Sequence, residues 1–376
     1  MSSLIDLVQA DYTGMTLFAK NPELWNGKDS GPLGLYPYAR KPYNDQAVIA
    51  ATLQYYLVGA ISRAQFALPR QTPRELLSWI EETLYISRPP LLCYDNNEAD
   101  SYVNLFNTLP AQSLIMMHPY ERIASDRYAV PPNVLFSCNN KADLHLFTDT
   151  LPRRQIMYRR EELESFNPPY VLKKIAGGGG DGVQIIRARE DTLKLQLTTG
   201  EAFVVEEYID AQVNYGIHYY ISKSGRIEVV GHNRQSISQE SVALAKYFSN
   251  EEPPQPLNKI GQTACQKLAT FGYWGFVGLD VLQDRAGAYY VIDCNARYTA
   301  SIPVYLLQHN GNIPKRNVSI RHNTVSAETA VGAIMKVKNR DQHVYSLSHP
   351  KFDRRGLFRV SKEARFRYFA FSFPSY

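Results

Sequence analysis

Residues 170–187 read YVLKKIAGGGGDGVQIIR: an apolar run ending in Lys173 and Lys174, a glycine run around Asp181, and a second apolar run. Gly177, Gly178, Gly179, Gly180 and Gly182 carry no side chains, so their backbone N–H groups can approach an anion closely, while either lysine supplies compact positive charge beside it. This is phosphate chemistry, and a nucleoside triphosphate is the guest it suits. Gly177, Gly179 and Gly182 also satisfy the dinucleotide fingerprint, but that motif needs a helix to begin at its third glycine, and here the β-branched VQII follows. A kinase loop would require H-R-D and D-F-G sequences; neither these nor a Walker A loop occurs in the chain. A plain flexible turn between strands is the remaining alternative.

A second chemical signal lies about a hundred residues on, where WGFVGLDVLQ and AYYVIDCNARY flank the turn DRAG. Alternate side chains of a strand share a face, so Asp293, Asn295 and Arg297 are expected to point one way and Cys294 and Ala296 the other. A two-residue turn centred on Ala286 and Gly287 sets Asp280 directly opposite Asp293; a register shifted by two makes them diagonal neighbours. At about 5 Å and an effective dielectric near 20, two carboxylates repel by roughly 3 kcal/mol, more than the ~0.2–1 kcal/mol of a good cross-strand pair. The pair needs compensation. A magnesium ion held by Asp280, Asp293 and the amide oxygen of Asn295, and completed by phosphate oxygens, provides it. Solvated carboxylates, or one neutralised by Arg297, are the bland alternative.

The elements that position these groups follow from pattern. YVLKK, VQII and FVVEEYI read as strands; NYGIHYYIS and RIEVVGHN flank the turn KSGR; residues 260–271 carry apolar positions at helical spacing. Upstream, Gln46 to Phe66 reads as a buried core helix, too polar for a membrane span. TPRELLSWIEETL follows as a helix capped by Thr72, with Pro73 in its first turn and Glu75 in the capping-box position. PLLCYD, SLIMMH and NVLFSC read as short strands of a small α/β domain with a largely parallel sheet. The expected division is an N-terminal α/β domain over 1–137, a small lobe with the glycine loop over 138–210, and a large lobe with the metal site over 211–376.

The 376 residues, 44% hydrophobic, can bury a substantial core over two or three lobes. MSSLIDLVQADY has no basic start and no sustained apolar run, so a secretory signal is not expected. The four cysteines lack C-x-x-C spacing and read as buried small residues of a reducing cytoplasm; the eight histidines show no zinc spacing. Residues 351–376 hold seven basic groups against Asp353 and Glu363, which accounts for the whole +5 formal charge. One basic, aromatic segment on a neutral body argues against nucleic acid as the partner and for a docked final strand and helix end.

Together these residues resemble the ATP-grasp superfamily, from about Asn140 to Arg297. The resemblance implies an α/β N-terminal domain followed by a two-lobed α+β ATP-grasp fold with antiparallel sheets. It sets Lys173 and Lys141 on the nucleotide phosphates, with Gly178, Gly179, Gly180 and Gly182 closing over them. Glu206 and Glu207 come near the adenine amine, the backbone of Tyr208 and Ile209 against the ring edge, and Asn214 stands where a ribose-binding glutamate is usual. Asp280, Asp293 and Asn295 fall on the ligands of one or two magnesium ions, with manganese as a substitute, and Arg297 on a cation near the reacting carboxylate. The implied activity is carboxylate–amine ligation through an acyl phosphate, with small-molecule acid and amine as partners, no membrane, and a homodimer compatible with the chain. His232, Arg234, Tyr298 and Ser301 are the substrate contacts expected. The alternatives are an ATP-grasp phosphotransferase or carboxylase, and a nucleotide-binding regulatory protein without catalysis.

Overall fold

The computed structural model describes residues 3–18, 61–70, 72, 74, 77–78, 81–82, 86–95, 101–116, 118–120, 122–175, 182–193, 202–237, 243–249, 251–299, 301–311, 318–325, 344–346 and 366–372. The glycine run at 176–181 and the basic segment at 347–365 lie outside them.

After a first helix, Leu4–Tyr12, closed by a capping box from Ser3, the N-terminal part builds a parallel sheet from β1 (Thr16–Phe18), β2 (Gln65–Pro69), β3 (Leu91–Tyr94) and β4 (Leu114–Met116) in the order β3-β2-β1-β4. The expected α/β domain is present, with two local corrections. The helix expected from Gln46 to Phe66 does not reach its far end: residues 61–64 form a turn, Gln65 and Phe66 belong to β2, and 46–60 lie outside the described residues. NVLFSC is not a strand but most of the helix Pro132–Asn139: a short apolar run is ambiguous by periodicity, and Pro132 in the first turn is pre-organised for a helix whose Val134, Leu135 and Cys138 face the core. In the stretch TPRELLSWIEETL the described residues from Arg74 to Glu82 are helical, as expected.

The small lobe is a four-stranded antiparallel sheet, ordered β5-β8-β6-β7, of β5 (Arg154–Met157), β6 (Tyr170–Lys174), β7 (Val183–Ile186) and β8 (Phe203–Glu207). Lys174 N–H donates to the Gly182 carbonyl at 2.8 Å, so β6 and β7 are paired up to the edges of the glycine run.

The large sheet holds β9 (Ala211–Ile221), β10 (Ile227–Ile237), β11 (Ala243–Phe248), β12 (Gly275–Asp284), β13 (Tyr289–Asn295), β14 (Val318–Val325), β15 (Val344–Ser346) and β16 (Phe366–Ser372), in the order β13-β12-β9-β10-β11-β14-β16-β15. β16 bears out the docked final strand. One face of this sheet is covered by the helix Gln255–Thr270. It begins in the proline cluster at 253–256 and buries Leu257, Gly261, Ala264, Cys265 and Leu268, one helical stripe, against Tyr215, Ile217, Tyr219, Leu279 and Val281. The opposite face, bearing Asp280, meets the helix Ile302–His309 through Tyr305. Cys138, Cys265 and Cys294 are buried as expected; Cys93 is exposed on β3. Among the described residues no helix is long and apolar enough to cross a membrane.

Candidate functional site

Asp280 and Asp293 are register partners across β12 and β13. The route to that pairing differs from the expected one. The turn has three residues, with Asp284 N–H donating to the Ala288 carbonyl at 3.0 Å and Gly287 in the left-handed region at φ +87, a conformation glycine adopts without cost. That register alone would bring Ile292 opposite Asp280. A bulge at Ile292, between the pairs Val281 with Val291 and Asp280 with Asp293, restores the opposition. The bulge also frees the Ile292 carbonyl, which accepts from Lys173 Nζ at 2.8 Å.

The crowded carboxylates are compensated by cations and amides. Lys141, buried in a 3₁₀ turn that Asn140 caps, donates from Nζ to both carboxylate oxygens of Asp293 at 3.0 Å. Gln235 Nε2 donates to Asp280 Oδ1 at 2.7 Å, and Asn295 Nδ2 lies 3.4 Å from Asp280 Oδ2. Burial pushes the Asp280 carboxyl above the usual range, with Asp293 adding to the shift and Lys246 opposing it; burial lowers the Lys246 ammonium, which donates to Ser301 Oγ at 3.1 Å. The donors fit a hard cation. Asp280, Asp293 and Asn295 supply two carboxylates and an amide oxygen, and among the described residues no group of three His, Cys, Asp or Glu residues is disposed to hold a metal. Such a set suits magnesium, which keeps waters and shares substrate phosphate oxygens.

On the small lobe, Glu206 is buried and paired with Lys173, Nζ to Oε2 2.6 Å, with Arg154 at 3.7 Å from its other oxygen. Glu207 points the opposite way and pairs with the exposed Arg153 at 3.0 Å, so the two glutamates do not share a pocket. Tyr208 stacks under Arg187, and Tyr208 and Ile209 lie in the connection from β8 to β9. Gly182 sits at φ +73, and a Cβ there would come within 2.9 Å of the Lys174 side chain. Gly178, Gly179 and Gly180 lie outside the described residues.

Strand parity sorts the remaining expectations. Asn214 pairs with Leu282 and Gln235, on the Asp280 face of β9. His232 and Arg234 do not reach this site: Gln235 faces Asp280, so its neighbours at odd offset project to the other side, where Arg234 lies exposed over the Tyr215 ring. Gln235 and Lys246, both set against Asp280, are the residues that sequence reasoning missed; choosing the opposite parity of GHNRQS would have found Gln235. Tyr298 is a buried core ring, 5.1 Å from Phe276 and 6.2 Å from Tyr12 between centroids, and not a substrate contact. Ser301 is brought in through Lys246. Arg297 does not continue the face of Asp293. A turn closes with Arg297 N–H on the Asn295 carbonyl, the strand alternation ends, and the guanidinium donates to Asn139 Oδ1 beside His118 and Cys294.

A sequence model of the family described as L-aspartate–L-methionine ligase, ATP grasp, matches residues 152–295. Solved structures extend the likeness over nearly the whole chain: an N5-carboxyaminoimidazole synthase from Aspergillus clavatus, in complex with ADP and its ribonucleotide, is 10% identical with a TM-score of 0.64 over 87% of this chain and 92% of that one. Residues 152–295 thus match an ATP-grasp family, and the chain shares the fold of these enzymes beyond that segment. An L-amino acid ligase from Bacillus licheniformis shares the ATP-grasp fold at 13% identity and TM-score 0.55, over 87% of this chain and 92% of that one. A biotin carboxylase from Nostoc sp. is 27% identical over 151 residues, 36% of this chain; the match spans a third of that relative's length (33%). The ATP-grasp match at 152–295 contains Lys173, Glu206, Asp280, Asp293 and Asn295, while Lys141 and Arg297 lie just outside it.

Proposed function

We propose that the protein is an ATP-dependent carboxylate–amine ligase that joins a small acid to a small amine through an acyl phosphate, releasing ADP and phosphate. The observation that carries this reading is the register pairing of Asp280 with Asp293, surrounded by Lys141, Lys246 and, through Ile292, Lys173. Adenine binding alone has no need of two opposed carboxylates.

In this reading residues 1–137, 138–210 and 211–376 act as three working parts of a cytoplasmic enzyme. Asp280, Asp293 and the amide oxygen of Asn295 would hold magnesium, which when bound supplies charge neutralisation at the triphosphate. Lys141 and Lys173 would bind phosphate oxygens, the 208–209 backbone the adenine edge and Asn214 the ribose. A substrate carboxylate oxygen attacks the γ-phosphorus, and the bond to ADP breaks with its electron pair going to ADP. Arg297, held by Asn139, would orient the acyl phosphate while the amine nitrogen attacks its carbonyl carbon, loses a proton and expels phosphate.

The biotin carboxylase relatives favour a second reading, with bicarbonate as the acid. A screen for ADP and phosphate release across acid and amine pairs, followed by mass measurement of the product, separates these. Release driven by an acid and an amide product supports ligation; release driven by bicarbonate alone supports carboxylation; phosphate on a non-carboxylate acceptor marks a phosphotransferase. No stimulation by any pair while ATP still binds would leave a regulatory nucleotide-binding protein. Asp293→Ala should abolish turnover and keep the fold.

A further inference from the structure

Lys141 sits on the metal site itself. Its Nζ lies 3.0 Å from each carboxylate oxygen of Asp293, and its side chain is 6% exposed where that of Asp293 is 20% exposed. The backbone holds it there: Lys141 N–H donates to the Ile175 carbonyl at 2.9 Å, and the Lys141 carbonyl accepts from Arg154. Ile175 is the last described residue before the glycine run, so the lysine is tied by its main chain to the base of the phosphate loop. Asp280 has a different guard, an amide hydrogen bond from Gln235, while the nearby Lys246 spends its ammonium on Ser301.

We infer that Lys141 is a latch on the metal site: without nucleotide its ammonium occupies both oxygens of Asp293, and a divalent cation enters only together with a nucleotide whose phosphates draw the lysine away. This rests on the reading of the site as one for a metal–nucleotide complex. An ammonium and a divalent cation cannot share one carboxylate without strong like-charge repulsion in a partly buried site. Phosphate oxygens offer the lysine another anion of at least equal charge. Metal and nucleotide are then coupled through one side chain, and the coupling is reciprocal.

Manganese is the probe, titrated into the full chain and followed by the electron paramagnetic resonance of the free ion. Wild type is expected to bind manganese alone weakly and much more tightly with ADP. Lys141→Gln should tighten binding of manganese alone by about tenfold or more and shrink the ADP enhancement by the same factor. Lys141→Met, which keeps the apolar stem, provides the same test if the glutamine variant does not fold. Adding Asp293→Asn to either variant should remove the gain. The latch is overturned if folded Lys141 variants bind manganese alone no more tightly than wild type, or if the gain survives Asp293→Asn. It is also overturned if Lys246→Gln, which removes a neighbouring cation without uncovering Asp293, produces an equal gain. Wild type that binds neither ADP nor manganese with ADP would sink the functional reading, and the latch with it; intact ADP binding beside unchanged metal affinity would sink the latch alone.

Discussion

Lys173 and Glu206 form a buried ion pair between β6 and β8, 2.6 Å from Nζ to Oε2, with the lysine also donating to the bulged Ile292 carbonyl of the large sheet at 2.8 Å. The carboxylate expected near an adenine amine is thus a partner of the lysine on β6, and one ammonium group links the two lobes.

Removing half of that pair leaves a charge in a site that solvent barely reaches. Lys173→Met should cost about 3–5 kcal/mol of stability in urea denaturation, since Arg154 at 3.7 Å is a weak substitute partner. Lys173→Met with Glu206→Leu should recover most of the loss. If the double variant is no more stable than the single one, the pair is not what the lysine contributes.

Strand parity makes a contrasting prediction on β10. Gln235→Ala removes a hydrogen bond to Asp280 of the kind worth about 1.5–3 kcal/mol, so turnover should fall by roughly 10–100-fold. Arg234→Ala, on the other face, should stay within about threefold. Equal losses in steady-state rates would refute the assignment of faces.

Gly261 packs beneath Tyr219, where an added Cβ would lie 2.4 Å from the ring. Helix propensity favours alanine over glycine by about 1 kcal/mol, but overpacking in a closed core costs about 1–3 kcal/mol and the contact is far inside van der Waals distance. Gly261→Ala should therefore lower the melting temperature. A rise would mean that the helix moves off the sheet without penalty.

Burial pushes the His218 imidazole down from 6.5 to about 3, with Lys246 and His232 adding to the shift. His232 is lowered too, by burial first and then by Arg234. The folded state binds these protons less readily than the unfolded chain, so their contribution is complete above pH ~6.5 and is lost as pH falls towards the folded values. For His218 the cost should be on the order of 1 kcal/mol by about pH 5.5. Denaturation curves of His218→Gln should show a shallower acid dependence; an unchanged slope would remove His218 as its source.

The strands around the glycine run, the lysine at the end of β6 and the opposed aspartates were legible in the sequence, because period-two alternation, turn residues and charge type are local properties written one residue after another. The parallel N-terminal sheet was legible in outline, but its last supposed strand was the helix Pro132–Asn139, since an apolar run that short fits either period. What the tertiary structure decided is which partners these residues meet. The three-residue turn and the bulge at Ile292 each shift the ladder by one, and only together do they bring Asp280 to Asp293. Arg297 left its expected face because a turn ended the strand; Gln235 and Lys246 joined the site because β9, β10 and β11 stack their faces in register. Lys141 came to Asp293 from 152 residues away. Side-chain type and spacing are carried by the chain, while ion pairs and bulges depend on register between segments distant in sequence, which packing of the whole sheet settles.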